Sequence, residues 1–149
     1  MPKRYATILS LAACLSFVCT TGFSGDTIES VFKKWHSACL SGDLDQASSL
    51  TSASAKEQVK KAFEQGMTRE QLAKMQKVSE PLRYKVLNKT FSADQTKASL
   101  FVEGPMKDWI TLAGQKPKVT MTKGEIQFVK EEGIWKINLI CYAENGCSQ

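Results

Sequence analysis

The sequence predicts an α+β domain: N-terminal helices packed on a curved antiparallel sheet of about four strands. Three observations predict it. Apolar residues recur at three- and four-residue spacing up to Pro81, the period drops to two from Leu82 onward, and turn residues punctuate the second half at hairpin intervals. Helices first and a meander of strands afterwards is the chain order in which helices gather on one face of an antiparallel sheet.

Ahead of these elements the chain carries an address. Met1-Pro2-Lys3-Arg4 is a short positive segment, Tyr5 to Cys19 is an uncharged apolar run, and Thr20 to Gly25 is mostly small and polar. This is the layout of a secretory signal peptide, with Gly22 and Ser24 meeting the small-residue requirement for cleavage before Gly25, or Thr20 and Gly22 for cleavage before Phe23. The apolar run of about 15 residues is short of the roughly 20 that a membrane-spanning helix needs. A rival reading is that Leu11-Ala12-Ala13-Cys14 resembles the lipobox at which bacterial lipoproteins are cut and acylated, which would make Cys14 a lipid anchor. The expected division is therefore a leader over residues 1–24 and a single α+β domain over 25–149. The expected location is exported, periplasmic or extracellular, with a lipid-anchored envelope protein as the alternative.

In the first half, Asp26-Thr27-Ile28-Glu29 reads as a capped helix start, and Ile28, Val31, Phe32, Trp35, Ala38 and Cys39 line one helical face. Gly42 supplies the stop, because glycine tolerates the left-handed conformation that ends helices. Asp43 opens a short helix with Leu44, Ala47 and Leu50. Ser54-Ala55-Lys56-Glu57 reads as a capping box for a third helix, ended by Gly66, and Thr68-Arg69-Glu70-Gln71 as the box for a fourth, ended before Pro81.

In the second half, Leu82, Tyr84 and Val86 alternate with Arg83 and Lys85, and Ser92 to Gln95 turns the chain into Ala98, Leu100 and Val102. Gly104-Pro105 interrupts this hairpin. Val119 and Met121 resume alternation out of phase with Ile126 and Phe128, which predicts a bulge near Gly124. Glu131-Glu132-Gly133 turns into the last strand, Ile134 to Cys141. Arg83, Lys85, Lys97 and Lys136 are expected to face water.

A chain of 149 residues is one domain's length, and such a domain buries roughly two thirds of its surface, so cysteines are optional staples. The net charge is +5, lowered by loss of Lys3 and Arg4 with the leader. Lys56, Lys60 and Lys61 share a helix without interleaved aromatics, which reads as a solvated face rather than a nucleic-acid interface. Cleavage before Gly25 leaves Cys39, Cys141 and Cys147, which allow one disulfide in an oxidising compartment and three pairings. With Cys14 retained, four other cysteines permit two bridges. Cys39 is expected on the inner face of the first helix and Cys141 on the strand side that carries Trp135, Ile137 and Leu139. A bridge between the helix and this strand or tail closes a loop of about 100 residues and contributes nearly 5 kcal/mol. The local pair Cys141–Cys147 closes a short turn and contributes less. His36 has no ligand-like spacing to these thiols, so neither a metal nor another cofactor is expected.

The run Val31-Phe32-Lys33-Lys34-Trp35-His36-Ser37-Ala38, leading into Ser41-Gly42-Asp43-Leu44, resembles the opening of bacterial nuclear transport factor 2-like envelope proteins. Phe128-Val129-Lys130-Glu131-Glu132-Gly133-Ile134-Trp135-Lys136-Ile137 resembles the hairpin that closes those domains. The resemblance implies a cystatin-like cone of bent strands wrapped around helices, often with a pocket at the open end. The wider superfamily holds ketosteroid isomerase-like and dehydratase-like enzymes, pocket binders and dimerisation modules, so the fold does not choose the function.

An isomerase-like reaction needs a carboxylate base and acidic donors converging in an apolar pocket. Here Asp43, Asp45 and Asp94 fall at caps or turns, Glu103 ends a strand, and Asp108 sits in a loop beside Trp109. No catalytic residue is assigned. His36 is a boundary residue beside an apolar stripe, and Trp35, Tyr84, Trp109 and Trp135 are the candidate pocket lining, although aromatics at core spacing are first of all core residues. The expectation is an exported noncatalytic binding or interaction module of the bacterial envelope. Its partner would be a small molecule, another envelope protein or a second copy in a homodimer, with membrane contact only if lipidated. The alternative is a small-molecule enzyme of ketosteroid isomerase-like or dehydratase-like type, with acids from the segment Gly104 to Pro117.

Overall fold

Four helices precede four strands in the computed structural model, which describes residues 25–108, 115–144 and 146–147. The leader expected at 1–24, with Cys14, and the stretch 109–114, with Trp109, lie outside the described residues. The helices are α1 (Ile28–Ser41), α2 (Leu44–Ser49), α3 (Ala53–Glu64) and α4 (Arg69–Ser79). The strands are β1 (Lys85–Phe91), β2 (Lys97–Lys107), β3 (Val119–Glu131) and β4 (Ile134–Cys141). They form one open antiparallel sheet in the order β1-β2-β3-β4. The α+β class and the four-stranded meander are therefore as expected.

Every helix begins on a side-chain oxygen that accepts from the amide three residues ahead, supplied by Thr27, Asp43, Ser52 and Thr68. The box of Thr68 and Gln71 closes in both directions. The box expected at Ser54 does not form, because α3 starts earlier, on Ser52. Its amide donates to the Ile137 carbonyl at 2.8 Å and its hydroxyl to Asn138 at 2.9 Å, so the sheet holds Ser52 in the extended conformation a cap requires. The Ile137 amide also donates to the Leu50 carbonyl at 2.9 Å, and the segment before α3 thus covers part of the free edge of β4.

The apolar stripe of α1 lies on the sheet face that carries Leu100, Val102, Ile126, Phe128 and Ile137. Phe32, Leu100 and Ile126 are fully buried, and burial of each such side chain contributes roughly 1.5–3 kcal/mol. Trp35 belongs to this core, and Trp135 packs against it from the same side of the sheet. The hairpin of α3 and α4 is different: neither helix buries a residue fully.

The strands depart from the expected pattern in four places. β2 runs through Gly104-Pro105 to Lys107, because the Pro105 carbonyl accepts from Leu82 at 2.9 Å and its nitrogen therefore points to that side, away from the ladder with β3. No bulge occurs at Gly124: the β2–β3 register is unbroken from Lys97↔Val129 to Lys107↔Val119. Val119 and Met121 simply face water, so no phase shift is needed. The register breaks lie instead between Val86 and Asn88 in β1 and between Gln127 and Phe128 opposite β4, where Asn138 is the extra residue. That extra residue turns Leu139 outward, where it is exposed, and brings Ile140 against the core in its place. Lys136 is half-buried rather than fully solvated, with its ammonium donating to the Ser49 carbonyl.

Candidate functional site

The end of α4 sets the geometry. Pro81 cannot continue a helix, so Glu80 takes an extended conformation and carries the chain back under α1. Pro81 becomes fully buried and Glu80 is only 4% exposed. On the far side of the core, Tyr142 follows β4 directly, and its ring lies over Gly124. A side chain at Gly124 would sit 2.5 Å from that ring, so only glycine allows the approach. The Tyr142 hydroxyl then reaches the Glu80 carboxylate, donating at 2.5 Å.

α1 completes this layer. His36 Nε2 lies 2.7 Å from the Pro81 carbonyl, which can only accept, so Nε2 carries a proton. Its ring meets Tyr84 edge-on at 5.0 Å, and Phe32 meets Tyr84 at 4.8 Å. Burial lowers the pKa of His36, opposed by the bond to Pro81. Burial raises the Cys39 thiol far above its ordinary range, and the nearby Glu80 charge raises it further, so Cys39 is an inert core thiol. Burial pushes the Glu80 carboxyl up to about 8, against the Tyr142 hydrogen bond, which favours the charged form. Burial, followed by the Glu80 charge, raises Tyr142 as well. Glu80 is therefore a carboxyl kept largely protonated near neutral pH.

Glu80 also forms the inner wall of a groove of about 910 Å³, a size typical of small-molecule sites. The groove opens between the α3–α4 hairpin, the end of α1 and the Lys107 end of β2. Its surface is mainly apolar, with Leu40, Ala62, Met67, Met75, Val78 and Leu82 among the lining residues. Met75, Val78 and Leu82 are 50%, 40% and 48% exposed, although each belongs to the apolar side of its segment. Lys74, Lys77, Lys107 and Asp108 also line it. The arrangement can hold an apolar body against one buried, protonated carboxyl.

Of the residues singled out in the sequence, Trp35, Tyr84 and Trp135 converge on the core and its margin rather than on the groove, whereas Asp108 lines the groove. Trp135 is covered by Lys130, at 4.7 Å from its ring centre, and meets Phe91 at 6.0 Å. Trp109 is outside the described residues. Glu80 and Tyr142 escaped the sequence reading because neither lies on a periodic stripe; the one signal was the proline after Glu80, which forces the chain to turn. Among the described residues, no group of three or more His, Cys, Asp or Glu is gathered as metal ligands.

The cysteines resolve into the local pair. Cys141 is bridged to Cys147, with their Cα atoms 5.1 Å apart, and Cys39 is free and buried. The long-range bridge to the first helix is not made, because the extra residue at Asn138 puts Cys141 on the sheet face opposite α1. There it lies beside Glu125, whose carboxylate accepts from the Cys147 backbone amide at 2.8 Å, the Ser99 hydroxyl at 2.8 Å and the Gln127 side-chain Nε2 at 3.2 Å. Burial alone would raise the pKa of Glu125, but these three donors together hold it below the ordinary value.

No protein-family profile matches the chain, and no curated protein matches it. Two solved structures are similar. The solution structure of a SEC-C motif containing protein from Rhodopseudomonas palustris has a TM-score of 0.55 at 13% identity, over 79% of this chain and 80% of that one. The intermembrane space region of the chloroplast protein ARC6 has a TM-score of 0.47 at 15% identity, over 77% of this chain and 92% of that one. At 13% identity the likeness to the SEC-C motif containing protein is one of fold and leaves the function to the site.

Proposed function

We propose that the chain is an exported, noncatalytic binding module of the bacterial envelope that holds a small apolar molecule in the groove between the α3–α4 hairpin and the end of the sheet. The observation that carries this reading is the groove itself, a concave site in which Met75, Val78 and Leu82 are exposed side by side. Export is supported by the leader-like residues 1–24 and by the Cys141–Cys147 bridge, since disulfides persist in oxidising compartments. Release before Gly25 places the protein free in the periplasm or outside the cell; lipidation at Cys14 would tether it. The mass of the mature N-terminus separates the two. The finer architecture we propose is the nuclear transport factor 2-like cone. It is supported by α1 packing on one face of the sheet and by the extra residues in β1 and β4, since such a residue bends the strand that carries it.

The test is binding of an environment-sensitive apolar dye to the purified mature protein. Saturable binding at one site is expected, lost in Met75→Asp and in Val78→Asp with the unfolding midpoint held, because both positions are solvent-exposed. Dye binding that survives both substitutions would place the site elsewhere. A sedimentation measurement on the same sample distinguishes a small-molecule binder from a module whose apolar surface is covered by a second copy.

One observation favours the enzymatic alternative. Glu80 with Tyr142 is a protonated acid at the wall of an apolar groove, the kind of group an isomerase-like or dehydratase-like reaction uses. On that reading Glu80→Gln retains the bound molecule and loses its turnover.

A further inference from the structure

We propose that the groove takes a single-chain amphiphile with an anionic head, the chain lying along Met75, Val78 and Leu82 and the head resting on Lys74, Lys77 and Lys107. This rests on the groove being the binding site, as proposed above, and adds the chemistry of its occupant.

The placement of charge carries the inference. On α4, Met75 and Val78 form one i, i+3 pair and Lys74 and Lys77 another, so an apolar row and a basic row run side by side along the same wall. Lys107, at the end of β2, is a third ammonium lining the groove. Among the described residues the ion pairs use Lys34, Arg69, Lys85 and Lys89, and none of the three groove lysines is engaged in one. The acidic residues lining the groove are Asp108, which has interactions of its own, and Glu80, which is buried and hydrogen-bonded to Tyr142. The exposed charge lining the groove is thus net positive, and it lies beside the apolar row. An occupant with a long apolar body and a negative head matches both, whereas a cationic head would meet three ammonium groups and a purely apolar molecule would leave them unused.

The experiment compares dodecanoate, dodecanol and dodecylamine as probes, each below its aggregation concentration, on the purified mature protein at neutral pH. The expected order is dodecanoate tightest, by roughly tenfold over dodecanol, and dodecylamine weakest, with only the dodecanoate affinity falling as salt is raised. Replacing all three lysines (Lys74→Gln, Lys77→Gln, Lys107→Gln) is expected to bring dodecanoate down to the dodecanol affinity while dodecanol changes less than about twofold. These positions are exposed, and the unfolding midpoint of the triple variant confirms that its fold is kept. Equal binding of the three probes, or equal loss of all three in the triple variant, overturns the anionic head and leaves the groove as an apolar site. Absence of binding by every probe overturns both the head and the groove. A dodecanoate preference that survives in the triple variant places the head elsewhere and overturns the lysine assignment.

Discussion

Glu80 owes its burial to its neighbour. Without Pro81, α4 would have no local reason to stop where it does, and the carboxylate would stay on a solvated helical face. Turned inward, it meets Tyr142 and lies near enough to the Cys39 thiol for its charge to act on it, with His36 held nearby through Pro81. Its carboxyl titrates near 8 against an ordinary value of 4.5, so the folded chain holds this proton more tightly than the unfolded chain. The stabilisation is fully present below about 4.5 and is lost as pH rises through about 8, by on the order of a few kcal/mol. Denaturant titrations from pH 4 to 9 are expected to show this decline in the wild type and to lack it in Glu80→Gln, which stays neutral and keeps a hydrogen bond to Tyr142. His36 acts in the opposite sense near and below its ordinary 6.5, since its lowered pKa makes its contribution fall as pH falls. The difference between wild type and Glu80→Gln cancels that term. A difference curve that is level between pH 5 and 8 would show that Glu80 is charged in the folded protein.

At the scale of elements, helix boundaries were legible where the cap is local and misplaced where the sheet decides it. Thr27, Asp43 and Thr68 work within their own turn, and each was readable from four consecutive residues. Ser52 works because β4, far along the chain, holds its backbone through Ile137 and its hydroxyl through Asn138. A tempting box at Ser54 therefore lost to a serine fixed by tertiary contacts. Ser52→Ala is expected to destabilise the fold by about 2 kcal/mol, since it removes a cap and leaves the Asn138 amide oxygen without its donor. Ser54→Ala, at an exposed position, is expected to stay within about 0.5 kcal/mol. Equilibrium denaturation of the two variants checks the pair, and a larger effect at Ser54 would restore it as the cap. The bulges obey the same logic. Alternation announces a strand, but the residue at which the register slips depends on the partner strand, and so Asn138 and Leu87 could not be picked out beforehand.

Across the whole molecule, the disulfide shows how topology overrides composition. Pairing Cys39 with the last strand would have closed a loop of about 100 residues and contributed nearly 5 kcal/mol. The observed bridge spans a sequence separation of 6, for which the same loop-closure treatment gives roughly 2 kcal/mol. Its role is to hold the C-terminal turn against Glu125 on the outer face of the sheet. Reduction is therefore expected to lower the unfolding free energy by about 2 kcal/mol and to release the tail while α1 and the core stay folded. Amide exchange in the reduced protein should increase around Cys147 and remain slow in α1; fast exchange across α1 would mean that the bridge supports the core after all. In the oxidised protein, thiol labelling after unfolding should find Cys39 as the free thiol among Cys39, Cys141 and Cys147.

The sequence by itself determined the order of helices and strands, the antiparallel meander, the buried face of α1 and the local helix caps, because these depend on periodicity and on hydrogen bonds within a few residues. Tertiary structure alone decided which cysteines meet, which face Leu139 and Cys141 take, and that Glu80 and Tyr142 come together beside a mainly apolar groove. Glu80 and Tyr142 are far apart in the chain, and the faces of Leu139 and Cys141 depend on how β4 registers against β3, so no pattern within a few residues encodes these outcomes.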